Sequence, residues 1–378
     1  MKQLIIFRAD ASIEIGTGHV IRCLTLADAF VSRGAECMFI CREHEGNLIQ
    51  MIKSKGYTVY TLLMANKPSV GSYEILGTED SLPILDHHNW LGSTQTQDAQ
   101  ACIDILATQN PDWLIVDHYA LDIRWERYLA PNFRKLMVID DLANRPHKCD
   151  LLLDQTLGRN AADYSTLIPS DSIIMCGSKY ALLRPEFVAL RPFSLMRRNS
   201  PLLRRLLISM GGVDRDNVTS YVLQALLTCQ LPSNCRITVA MGPTTPWLLD
   251  IQNKAKGMPW MTQVLIGASN MAELMAESDL AIGAAGMTSW ERCCLGLPTI
   301  LLTLAENQRY TALRLEESGA AKLIRFEKDL SFQLKQILDS FTKDKTQLWH
   351  MSKRAASLVD GLGIQNIMQK MDICSAGN

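Results

Sequence analysis

Short apolar runs alternate with longer stretches of helical period along most of the chain. QLIIF (3–7), AECMFI (35–40), DWLIV (112–116), KLMVI (135–139), DLLLD (150–154) and SIIMC (172–176) are each too short for a helix and lack a polar face. Such runs predict strands buried on both faces, and strands spaced by helices predict a parallel sheet. A second series follows in RRLLISMGG (204–212), CRITVAM (235–241), TQVLIG (262–267), DLAIGA (279–284) and PTILLT (298–303). The pattern therefore predicts an α/β protein of two Rossmann-like domains with a cleft between them. Residues 183–201, LRPEFVALRPFSLMRRNSP, contain three prolines among several arginines and are expected to form a surface linker. That places the domains at 1–197 and 198–378, the second ending in a helix. The stretch from Met64 to Pro83 is expected to be a surface excursion.

Composition narrows the function. The 378 residues carry 38 Lys plus Arg against 39 Asp plus Glu, a net charge of −1, so no electrostatic case for nucleic acid exists. The chain opens MKQLIIFRAD, which lacks the layout of a secretory signal, and its cysteines are odd in number, so a cytoplasmic location is expected. No CxxC pair or His-x-x-x-His spacing suggests a metal site. The apolar runs fall far short of the ~20 residues that span a bilayer, so no stable membrane insertion is expected.

Candidate chemistry clusters at strand ends. The first strand runs into RADASIEIGTGHVIRCLTLADAF, where Gly16, Thr17, Gly18 and His19 form a turn that opens a helix, with Asp10 just upstream. Glycines let a ligand approach the backbone, and helix N–H groups point at it. A histidine there faces the positive dipole end, which favours a neutral imidazole able to take a proton. His19 is thus a candidate general base, with a capping or core histidine as the alternative. At the end of DWLIV, DHYALD puts Asp117, His118 and Tyr119 on the same rim. The Tyr119 hydroxyl could orient a sugar or a water, or simply be satisfied internally. Asp140 and Asp141 end another strand, where capping of the following turn is the plainer role.

In the second series, MGGVDRDN (210–217) places Gly211 and Gly212 in a turn suited to a phosphate. DLAIGAAGMTSWERCCLGLPTILL predicts strand, small-residue turn, helix and strand, with Gly286, Met287, Thr288 and Ser289 in the turn and helix start. Backbone N–H groups there can cradle a diphosphate without a basic residue or metal. Glu291 follows in the first helical turn, where a carboxylate can accept both ribose hydroxyls or simply compensate the dipole. Asn307 and Gln308 in ENQRY lie at the next strand end.

RADAS, IGTGHVIRCLTLA, HNWLG, VDHYALD, DDLANR, YALLRPEF, ISMGG, GAAGMTSWERCCLGLPTI, ENQ and DGLG occur in this order across almost the whole chain. Together they resemble the UDP-2,4-diacetamido-2,4,6-trideoxy-β-L-altropyranose hydrolases of pseudaminic acid synthesis, relatives of the MurG-type glycosyltransferases. GTGH with the downstream SWE is the most specific pair. The resemblance implies a GT-B-like fold whose two parallel sheets face a central cleft, and a UDP-sugar substrate. It matches His19 to the family's base, Tyr119 to its assisting tyrosine and Glu291 to the residue holding the ribose. It implies no cofactor, and functional neighbours in nonulosonic acid synthesis. The chain departs from the family pattern at Ala285, Asn144 and Asn366. The implied chemistry is one inverting displacement, in which His19 deprotonates a water attacking the anomeric carbon while UDP leaves. A glycosyltransferase would use the same layout with an acceptor hydroxyl in place of water.

Overall fold

The computed structural model describes residues 2–64, 82–243, 245–325 and 329–376. Positions 65–81 of the expected surface excursion lie outside them. The chain forms two units, Met1–Leu182 with Asn366–Asn378, and Leu183–Gln365. This division falls before the boundary expected near Arg198, and the C-terminal residues go with the first unit.

The first unit is built on seven strands: β1 (Leu4–Ala9), β2 (Glu36–Arg42), β3 (Thr58–Leu62), β4 (Trp113–Asp117), β5 (Lys135–Ile139), β6 (Leu151–Asp154) and β7 (Ile173–Cys176). They pair in parallel in the order β3-β2-β1-β4-β5-β6-β7. β4 is buried at every position, which is why its sequence shows no polar alternation. The helix Gly18–Ser32 returns from β1 to β2, burying Val20, Cys23, Leu24, Ala27 and Phe30 at helical spacing. It stops where Gly34, at φ +89°, turns the chain.

The second unit repeats the plan with β8 (Arg205–Ser209), β9 (Arg236–Met241), β10 (Met261–Ile266), β11 (Leu280–Ala284), β12 (Thr299–Leu302) and β13 (Ala321–Ile324), ordered β10-β9-β8-β11-β12-β13 and parallel throughout. Its core gathers Ile208, Val222, Val239, Ile282, Ile300, Leu334 and Phe341. At roughly 1.5–3 kcal/mol for each fully buried large apolar side chain, such a cluster outweighs local propensity.

Residues 183–201 are not the irregular linker expected from their prolines and arginines. Pro185–Arg197 is a helix with Pro185 in its first turn, where the missing N–H costs nothing, and with Pro192 inside it. The arginines are anchors rather than surface charges. Arg191 donates to the carbonyls of Cys294, Val359 and Ala356, and Arg198 to those of Leu295, Ser278 and Met275. Burial, with Arg197 beside it, brings Arg198 down to about 9. These bonds satisfy carbonyls near helix ends and tie the helix to its own unit.

Candidate functional site

In an open parallel sheet, ligands bind outside the carboxyl ends of the strands where strand order reverses. In the first unit that point lies between β1 and β4, where Ala9 stands opposite Asp117. The loop after β1 carries Gly16, at φ +79°, then Thr17 and Gly18, and delivers His19 into the first turn of its helix. Gly16, Thr17 and Gly18 are half-buried. Asp117 ends β4 directly below.

His19 Nδ1 lies 2.5 Å from Asp117 Oδ1. Arg22, one turn further along the helix, grips the same carboxylate with Nε at 2.5 Å and Nη2 at 2.6 Å. Burial opposes the Asp117 charge, but Arg22 and then His19 outweigh it and hold the carboxyl well below the ordinary aspartate range. An ionised Asp117 has no proton to give, so Nδ1 donates and Nε2 is left as the basic nitrogen. His19 is only 7% exposed and its ring is held by the carboxylate, unlike a surface histidine.

Arg22 Nη1 reaches Asp141 Oδ2 at 2.6 Å, and the same oxygen accepts the Tyr119 hydroxyl at 2.8 Å. The internally satisfied hydroxyl foreseen as the alternative is thus what the structure contains. Burial, then Asp141, push the Tyr119 phenol well above its ordinary value, so it remains a donor. Asp140 turns the opposite way, accepting from the backbone of Leu142 and Ala143 and from Arg145. The adjacent carboxylates therefore do separate jobs. Tyr119 meets His19 edge-on at 4.6 Å between centroids, and Trp90 and His87 lie 5.9 and 5.6 Å from the Tyr119 ring. Residue-level reading of the sequence assigned no role to Arg22, Trp90 or His87, and took Asp117 no further than the rim. The i, i+3 spacing of His19 and Arg22 pointed to Arg22, and the HNWLG motif carried Trp90.

Asp10 is not on the rim. It is fully buried, paired to Arg8 Nη1 at 2.6 Å and accepting the Arg42 N–H at 2.6 Å, within a cluster that includes Asp98 and Trp125. His118, expected at the rim, is also buried. Its Nδ1 accepts from Ala120 N, so its Nε2 carries the proton and faces Asp10 Oδ2 at 3.3 Å. Asp10 can hold the floor of the site but does not face outward.

In the second unit strand order reverses between β8 and β11. Gly211 and Gly212 follow β8 and are exposed, Gly211 at φ +94°. Beside them Asp214 caps the Val218 and Thr219 N–H groups. Gly286, Met287 and Thr288 follow β11 and are half-buried. Gln308 Nε2 would stand 3.8 Å from a Cβ on Gly286, while its Oε1 accepts Leu304 N, so the ends of β11 and β12 do meet. Asn307 beside it is exposed.

Ser289 is a correction. It is 2% exposed, and its hydroxyl accepts from Arg292 Nη2 at 3.0 Å, so it supports the turn from within instead of facing a ligand. Buried Arg292 also donates to Ala284 O at 2.6 Å and so supports the turn from within. Glu291 is paired to Arg184 at 3.2 Å, a partner hidden by the linker expectation. Burial raises the Glu291 carboxyl while Arg184 opposes the shift. Of the departures, Ala285 is buried, Asn144 Oδ1 accepts from Arg145 at 3.4 Å, and Asn366 donates to Lys179 O at 3.3 Å. No group of three or more His, Cys, Asp or Glu placed to hold a metal occurs among the described residues. No helix among them is long and apolar enough to cross a membrane.

Residues 209–370 match the glycosyltransferase family 28 C-terminal domain. Over 316 residues the chain is 28% identical to a UDP-2,4-diacetamido-2,4,6-trideoxy-beta-L-altropyranose hydrolase of Campylobacter jejuni, covering 83% of this chain and 97% of that protein. The spore coat polysaccharide biosynthesis protein SpsG of Bacillus subtilis is 26% identical over 193 residues, 50% of this chain and 55% of that protein. Among solved structures, Acinetobacter baumannii MurG aligns with a TM-score of 0.69 at 15% identity, over 98% of this chain and 99% of that one. The chain thus has a GT-B type of fold, is similar over residues 209–370 to the glycosyltransferase family 28 C-terminal domain, and is similar over most of its length to the Campylobacter UDP-diacetamido-trideoxy-altropyranose hydrolase.

Proposed function

We propose that the protein hydrolyses a UDP-linked 2,4-diacetamido-2,4,6-trideoxy sugar to the free sugar and UDP, without a metal, as a step of pseudaminic acid synthesis. The observation that supports a base-assisted displacement is the His19–Asp117 pair at the reversal point of the first sheet. The similarity to the Campylobacter hydrolase supplies the substrate class. His19 Nε2 takes a proton from water as its oxygen bonds to the anomeric carbon. The bond from that carbon to the UDP oxygen breaks with its electron pair leaving on UDP, so configuration inverts. Asp117 and Arg22 orient the imidazole, and Tyr119 packs its ring against it. The nucleotide is assigned to the second unit, with Gly211, Gly212, Gly286, Met287 and Thr288 around the diphosphate, Glu291 at the ribose, and Asn307 and Gln308 nearby.

The family 28 match favours a second reading, transfer of the sugar to an acceptor hydroxyl. Incubating the purified protein with the UDP-sugar in buffer, and following products by NMR, separates the two. Hydrolysis yields UDP and free sugar with no acceptor added and is lost in His19→Asn. Turnover that begins only when an acceptor alcohol is supplied identifies the transferase.

A further inference from the structure

The rings beside His19 form a continuous aromatic surface that the reaction itself does not require. Trp90 lies on the short helix His88–Leu91. Its neighbour Leu91 enters the core of the first unit, whereas Trp90 and His87 stay outside that core and half-buried. His87 packs on Trp90 at 4.3 Å and on Tyr119 at 5.6 Å, Trp90 stacks on Tyr119 at 5.9 Å and 23°, and Tyr119 meets His19 at 4.6 Å. The segment ends at Gly92, whose φ of +68° is a conformation that side chains rarely adopt and which packs close to neighbouring side chains. A Cβ there would lie 2.9 Å from His44 Cε1 and 3.0 Å from Arg42 Cδ. The polar groups behind the rings are bonded to one another, Tyr119 to Asp141 and Arg145 to Asp140 and Leu121 O. The Tyr119 hydroxyl and Arg145 are therefore committed, and what the stacked rings of Trp90 and Tyr119 offer beside the base is their faces.

We propose that Trp90 and His87, backed by the Tyr119 ring, form the wall that receives methyl groups of the sugar and thereby selects a 6-deoxy sugar over one with a 6-hydroxyl. This rests on the hydrolase reading above and names a specificity determinant for it. An aromatic face buries a methyl group favourably, while a hydroxyl placed there gives up its water without a partner.

The test uses two UDP-sugars of one configuration, a 2-acetamido-2,6-dideoxyhexose and its 6-hydroxy counterpart, with UDP as reference. Calorimetric affinities are measured in the His19→Asn background, alone and combined with Trp90→Ala, Trp90→Phe or His87→Gln. The background should prefer the 6-deoxy ligand by at least about 10-fold, the lower end expected for a small apolar group. Trp90→Ala should remove most of that preference with UDP affinity unchanged, and Trp90→Phe should retain most of it. No preference in the background, or a preference intact in Trp90→Ala, overturns the proposal. Where Trp90→Ala also lowers UDP affinity or the melting temperature, Trp90→Phe and His87→Gln decide, and unchanged preference in both counts against the wall. If the wild type fails to hydrolyse the UDP-diacetamido-trideoxy sugar, the hydrolase reading falls, while the preference measured by binding in the background still judges the wall.

Discussion

Replacing Asp117 with Asn should leave the His19 ring close to its present position but remove the acceptor that keeps the proton on Nδ1. Orientation of a histidine base by a carboxylate is worth about 10⁴-fold in comparable triads, so Asp117→Asn should cut turnover by roughly 10³- to 10⁴-fold. UDP affinity, measured in parallel, should hold, and near-normal turnover would show that the pair is structural. A second residue-scale prediction concerns Tyr164, whose single hydroxyl proton faces two carboxylates, Asp140 at 2.9 Å and Asp154 at 2.8 Å. Asp140 is held charged by Arg145, whereas Asp154 has Arg159 Nε at 3.0 Å and accepts Thr156 N at 2.8 Å. Burial, then Asp141 and Asp140, raise Asp154 to about 7. The folded state therefore binds an extra proton between the ordinary aspartate range and about 7, and stability contributed by Asp154 is lost as pH rises through that window. Melting temperatures from pH 5 to pH 8 should fall more steeply for the wild type than for Asp154→Asn, and equal slopes would contradict the assignment. For Glu291, a ribose role requires that Glu291→Gln weaken UDP much more than 2′-deoxy UDP. Equal losses would reduce it to dipole compensation and a partner for Arg184.

At the scale of elements, the sequence was most legible where strands are buried on both faces. β5 coincides with the apolar run KLMVI end to end, because central strands need no polar alternation. The two strands the pattern missed, β3 (TVYTL) and β13 (AKLI), are both sheet edges with polar or exposed positions, so their apolar signal is diluted. The helix Pro185–Arg197 was hidden for a different reason, since its arginines bond carbonyls far away in sequence and its prolines mimic a loop. Within the site, His19 and Asp117 were legible as strand-end residues, but the Asp141–Tyr119 contact depends on β5 lying beside β4, and Arg184–Glu291 spans 107 positions. Gly283 in β11 carries a prediction at this scale. A Cβ there would lie 2.5 Å from Arg292 Nη1 and 2.6 Å from Ser209 O, so Gly283→Ala must displace backbone or the buried guanidinium. It should destabilise by about 1–3 kcal/mol, the usual cost of overpacking, and weaken UDP binding, since Arg292 holds the Ala284 carbonyl and Ser289 beneath the turn. Thermal melts with calorimetry check both effects.

For the whole molecule, two units of similar topology each present a strand-order reversal, and the proposed site residues follow the strands at those two points. The base is assigned to one unit and the nucleotide to the other, so His19→Asn should abolish turnover with UDP affinity nearly unchanged. Turnover should also survive exhaustive EDTA treatment, and recovery only on adding back a divalent ion would contradict metal-free departure of the diphosphate. The central claim is that water, activated by His19, attacks the anomeric carbon. Turnover of the UDP-diacetamido-trideoxy sugar in ¹⁸O-water, without any acceptor, with mass analysis of both products, tests it most directly. The account predicts ¹⁸O at the anomeric position of the free sugar and none in UDP. Label in the UDP phosphate, or no turnover until an acceptor alcohol is added, would contradict it.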